Sequence, residues 1–116
     1  MTVEKCYEIM KGDYKDALSR LSTDDKIKKL LIKFANDKSF VQLCNAMEKG
    51  DFEGAANAAN TLKGLSKNLA ITGLTYSIGN LLEALRRSRT YDNDLEVLFK
   101  RMKKDYALTL ACIQMM

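Results

Sequence analysis

The sequence predicts an all-α fold: an up-and-down four-helix bundle with one or two short N-terminal capping helices. Three observations predict it. Apolar residues recur at the three- and four-residue spacing of a buried helix stripe over nearly the whole chain. The 116 residues include no proline, so long helices meet no internal breaker. No stretch sustains the period-two alternation of a half-buried strand.

Taken in order, Val3, Cys6, Tyr7 and Met10 mark a first helix, and Tyr14, Ala17, Leu18 and Leu21 a second. These occupy residues 1–21 and are expected to cap one end of the bundle. Ser22-Thr23-Asp24 supplies capping oxygens before Ile27, Leu30, Leu31 and Phe34 repeat the pattern. Asn36-Asp37 interrupts it. Phe40, Leu43, Cys44 and Met47 form a shorter helix that ends at Gly50, a natural C-cap residue. Asp51 can cap the next helix, whose stripe is Phe52, Ala55, Ala59, Leu62, Ser66 and Leu69. A boundary at Thr72 or Gly73 precedes Leu74, Ile78, Leu81, Leu82 and Leu85. After Arg89-Thr90, one long helix carries Leu95, Leu98, Phe99, Met102, Tyr106, Leu110 and Ile113. Residues 24–115 thus read as the bundle and residues 1–116 as a single domain, with short linkers throughout.

Composition narrows the function classes. Apolar and charged contents of 47% and 29% are those of an ordinary globular protein. No apolar run approaches the roughly 20 residues that span a bilayer. The opening Met1-Thr-Val-Glu-Lys-Cys lacks a basic-then-apolar targeting pattern, so a cytoplasmic protein with no membrane partner is expected. Cys6, Cys44 and Cys112 are far apart and odd in number, which argues against a disulfide framework or a zinc site; each is read as a buried thiol. The chain contains no histidine, which removes the commonest general base and metal ligand. No metal site, Gly-rich phosphate loop or cofactor is expected. The net charge of +4 is spread along the chain. Its densest runs, Arg86-Arg87-Ser88-Arg89 and Lys100-Arg101-Met102-Lys103-Lys104, have few aromatics for base stacking, so nucleic-acid binding is a minor reading.

The informative segment runs from Ala55 to Ala70. On a helical wheel of about 100° per residue, Glu53, Asn57, Asn60, Lys63, Gly64 and Lys67 fall opposite the apolar stripe. Gly64 is the anomaly, because a glycine inside a helix costs about 1 kcal/mol relative to alanine. Two readings are open. Gly64 is a tolerated bend beside solvated lysines, or it leaves room for another protein's surface, with Lys63 and Lys67 offering charge to a phosphate or carboxylate.

The run Asn60-Thr-Leu-Lys63-Gly64-Leu-Ser66-Lys67-Asn-Leu69 resembles the signature of histidine phosphotransfer (HPt) domains, roughly His-x-Leu-Lys-Gly-x-Ser/Ala-x-x-Leu/Val-Gly on a bundle helix. The helical lead-in (Leu30-Leu31 to Phe34, then Phe40, Leu43 and Ala46, then Gly50-Asp51 into Ala59) is similar too. So is the helix that follows, with Leu74, Ile78 and Leu81-Leu82-Glu83. The resemblance covers about Tyr14 to Leu110. It departs in two places: Asn60 stands at the phosphoaccepting histidine, and Ala70 stands where glycine is usual, read as a minor packing change.

The resemblance implies a module of a two-component phosphorelay that docks on a response-regulator receiver domain, free or within a hybrid sensor kinase. In the family the histidine ring nitrogen takes the phosphoryl group, the lysine eases its charge, and the glycine admits the receiver. An asparagine amide nitrogen is a poor nucleophile because its lone pair is delocalised into the carbonyl. Asn60 can donate and accept hydrogen bonds but is not expected to carry phosphate, so no catalytic residue is assigned. The receiver-docking set is Asn60, Lys63 and Gly64, with Asn57, Ser66 and Lys67 as helpers, and a monomer is expected. Three accounts of Asn60 stay open: a native pseudo-HPt, a bundle that has left phosphorelay signalling to bind another partner through its basic helices, and a His-to-Asn substitution in an otherwise active HPt domain. Ser66 and Thr61 are the only nearby hydroxyls that could take phosphate instead.

Overall fold

A computed structural model describes residues 1–88 and 90–116. Among the described residues the secondary structure is helix alone, in seven segments: α1 (Val3–Met10), α2 (Tyr14–Leu21), α3 (Asp24–Ala35), α4 (Ser39–Lys49), α5 (Phe52–Asn68), α6 (Thr72–Arg87) and α7 (Asn93–Gln114). The all-helical bundle expected from the periodicity is the fold found.

Local chemistry sets the boundaries. The hydroxyl of Thr23 accepts the Lys26 N–H at 3.2 Å, and carboxylates of Asp13, Asp51 and Asp92 accept the amides of Asp16, Gly54 and Leu95 at 2.8–3.0 Å. Each satisfies an amide that the first helical turn leaves free. Gly50 ends α4 in the left-handed region at φ 70°. The short connections Gly50-Asp51 and Leu69–Ile71 then fold α4 back on α5, and α5 back on α6.

Helices α4 to α7 pack in chain order, and Phe40 of α4 closes the ring by stacking on Tyr106 of α7 at 3.8 Å between ring centroids. Among the described residues five helices lie between Asp24 and Gln114, with α3 and α4 separated at Asn36–Asp37 as the sequence pattern is read. The contacts step along α7: the Lys28 ammonium reaches the Met116 carbonyl at 3.5 Å, Phe34 packs at 5.9 Å from Tyr106, and Phe40 stacks on that same ring. Thus α3 and α4 follow one another beside α7. The core is aliphatic, with Ile27, Leu31, Leu43, Leu62, Leu74, Ile78, Leu81, Leu82, Leu95 and Met102 fully buried.

Residues 1–21 lie at the end where the α5–α6 turn meets the α7 terminus. The Tyr7 hydroxyl donates to the Leu69 carbonyl at 2.7 Å. Backbone bonds from Asp13 N–H to the Ala70 carbonyl (2.8 Å) and from Gly73 N–H to the Lys11 carbonyl (3.0 Å) tie the two turns together. Two expectations about burial need correction. Leu30 is 37% exposed, because α3 turns Ile27, Leu31 and Phe34 inward and leaves Leu30 at its edge. Cys6 and Cys112 are buried, but Cys44 is only partly buried, packed against the core from α4. Among the described residues no helix is long and apolar enough to cross a membrane.

Candidate functional site

The site is built on one helix. Asp51 caps α5, and Ala55, Ala58, Ala59, Leu62 and Ser66 face the core. That registers Asn57, Asn60, Gly64 and Lys67 outward as exposed residues, with Lys63 half-buried at the edge toward α6. Five of the six residues singled out from the sequence therefore share one face.

Ser66 does not. It is wholly buried, donating to the Lys63 carbonyl at 2.9 Å and sharing a 2.8 Å hydrogen bond with the Thr75 hydroxyl. Its small polar side chain is a spacer between α5 and α6, satisfied on the spot, and it cannot reach a partner. The helical wheel already placed Ser66 on the apolar stripe; its place in the motif pulled it into the docking set.

Gly64 sits in open space. A β-carbon built there would have no heavy atom within 4 Å beyond its chain neighbours and its own helix backbone. Packing within the chain therefore gives no reason for glycine, and the helix-propensity cost of about 1 kcal/mol is uncompensated inside the molecule.

Lys63 is held from the other side. Its Cε lies 3.6 Å, and its ammonium nitrogen 3.8 Å, from the place a Gly79 β-carbon would occupy. The lysine stem lies across α6 over this second glycine and keeps its charge at the seam of the two helices. Neither Lys63 nor Lys67 forms an ion pair among the described residues. Tyr76 precedes Gly79 by three residues on α6 and is 68% exposed. Sequence reasoning missed Gly79 and Tyr76. The available signal was a second glycine inside a helix, in Ser77-Ile78-Gly79-Asn80.

Ala70 also needs correction. Its φ of 55° is left-handed. The Ala70 N–H bonds the Lys67 carbonyl and the Ile71 N–H bonds the Ser66 carbonyl, both at 3.0 Å, which is the Schellman closure of α5. The position favours glycine for its backbone conformation, not for packing. Alanine accepts it at an energetic cost.

The chemistry of the face is that of a hydrogen-bonding, cationic surface. The Asn60 amide can donate and accept, and two lysines, Lys63 and Lys67, follow it one and two turns on along α5. The nearby hydroxyls are engaged, since Thr61 donates to the Asn57 carbonyl at 3.2 Å and Ser66 is buried. Among the described residues no group of three or more histidine, cysteine, aspartate or glutamate side chains could hold a metal. Burial pushes the Cys6 thiol up to about 12 and raises Cys44 as well, so neither is an activated nucleophile.

The basic runs are partly neutralised. Arg87 pairs with Glu83 at 3.1 Å, Lys100 pairs with Glu96 at 3.3 Å, and Lys103 lies 4.4 Å from the Phe99 ring centroid. Arg86, Arg101 and Lys104 are exposed, while Arg89 lies outside the described residues. No family model, no curated protein and no solved structure matches this chain.

Proposed function

We propose that this chain is a catalytically silent HPt-like module that docks on a response-regulator receiver domain without exchanging phosphate with it. The observation that carries the reading is Gly64: a helix-interior glycine at an exposed position that nothing in the chain requires. A partner surface approaching within contact of the α5 backbone would require it. Lys63 and Lys67 then offer charge to the acidic rim of a receiver's phosphorylation site, and Asn60 offers a neutral amide where the family's histidine would react.

The module acts by occupancy. A receiver bound here is withheld from active phosphotransfer partners or held in an assembly, in a phosphorelay of the cytoplasm. Ion pairing at Arg87 and Lys100 favours this reading over a nucleic-acid role for the basic helices. Titration of receiver domains from the same genome into the ¹⁵N-labelled chain tests it. Saturable shifts centred on the Asn60, Gly64 and Lys67 amides are expected, and silence toward every receiver would refute the proposal.

A further inference from the structure

The start of α1 and the end of α7 bring most of the chain's sulfur to one place. Four of the six methionines and two of the three cysteines lie within residues 1–10 and 112–116. The two segments meet in space: α1 packs on α7, and the Met1 nitrogen donates to the Met115 carbonyl at 3.5 Å. Cys6 stands about one turn into α1 from that contact, and Cys112 about one turn back along α7. Both are buried, so the two thiols come level with one another across the helix contact.

They are neighbours in effect as well as in level, since burial and then Cys112 raise the Cys6 thiol. The Cys6 Sγ also lies 3.7 Å from the Sδ of buried Met10. Three sulfur atoms thus converge. Metal–sulfur bonds of roughly 2.3 Å place trigonal ligands about 4 Å apart, close to the spacing of Cys6 and Met10. The donor set selects the ion. Zinc asks for a tetrahedral set of thiolate, imidazole or carboxylate ligands. The chain has no histidine, and among the described residues no cluster of three or more cysteine or carboxylate groups forms. A cuprous ion, by contrast, is matched by soft thiolate and thioether sulfur.

We propose that Cys6, Cys112 and Met10 form a binding site for a single cuprous ion, held trigonally between α1 and α7. Binding exchanges two thiol protons for one Cu⁺. The two thiolates and the Met10 thioether each donate a lone pair, both protons pass to solvent, and no electron is transferred. In the metal-free chain burial keeps those protons in place. The ion enters by local opening of α1, a helix of eight residues, past the exposed Met1 and Met115. The site is separate from the Asn60 face and does not depend on whether a receiver docks there.

Titration of the reduced full chain into the cuprous–bicinchoninate complex, without oxygen, reads the assignment as loss of the chelator's colour. Transfer of one copper per chain is expected, with a thiolate-to-copper absorption in the ultraviolet. Cys6→Ser and Cys112→Ser should each weaken binding at least tenfold, and Met10→Leu several-fold at nearly constant volume. Cys44→Ser should bind as the parent does. A serine in the core can also unfold the chain, so alkylation of the parent gives a second reading. In urea sufficient for slow alkylation of all three cysteines, copper should protect Cys6 and Cys112 and leave Cys44 reactive. No transfer of copper, protection of Cys44 instead, parent-like binding by either serine variant or by Met10→Leu, or displacement by equimolar zinc would each overturn the assignment.

Discussion

The Lys63 side chain lies across Gly79, with its Cε 3.6 Å from where a β-carbon on that residue would stand. One helix thus carries the cation and its neighbour supplies the shelf. Replacing Gly79 with leucine puts a branched side chain where the lysine stem rests. The expected outcome is an unchanged fold, a displaced Lys63 ammonium resonance, and receiver binding weakened several-fold. Unaltered Lys63 resonances in Gly79→Leu would show that the shelf is unimportant.

Gly64 separates stability from docking. Gly64→Ala should raise the unfolding free energy by about 1 kcal/mol, since the added methyl meets nothing and helix propensity improves. Gly64→Leu should fold as well as the parent and lose receiver binding tenfold or more. Chemical denaturation and titration of the same two variants check both halves.

Ala70→Gly tests the left-handed closure of α5. Relief of strain at φ 55° should stabilise the chain by about 1 kcal/mol, less what the freer unfolded glycine takes back. If Ala70 were only a packing substitution, removing its buried methyl would destabilise the chain.

The Cys6 thiol gives a pH dependence with a definite sign. Burial first, then the neighbouring Cys112, raises it from 9.0 to about 12, so the folded state keeps a proton that the unfolded state releases. Its contribution to stability is full below pH 9 and is lost as the pH rises toward 12, at about 1.4 kcal/mol per pH unit. Replacing Cys6 with alanine should flatten the fall of unfolding free energy across that window by nearly one proton. Urea denaturation at stepped pH reads the slope independently of the variant's lower absolute stability.

Much of this fold can be read from the chain because burial imposes a period. Leu62, Leu74, Ile78 and Leu81 recur at helical spacing and are fully buried. Gly50, Thr23 and Asp51 act as the caps that their backbone and side-chain chemistry suits them for. Less legible is whatever depends on how two helices meet. Ser66 stands on the apolar stripe of α5, but neither helix alone shows that its hydroxyl meets Thr75 at the α5–α6 seam. Gly79 carries no signal about Lys63 until α6 is laid beside α5. Ala70 hides a left-handed backbone that an alanine side chain does not announce. The sulfur cluster of Cys6, Met10 and Cys112 exists only because α1 packs on α7, which no local pattern encodes.

The central claim is that the docking face persists and only the nucleophile is missing. Asn60→His tests it most directly, by incubation of parent and variant with phosphorylated receivers. The histidine variant is expected to acquire an acid-labile, base-stable phosphoryl group, while the parent chain stays unlabelled. A parent that becomes phosphorylated, or a histidine variant that no receiver can label, would contradict the claim.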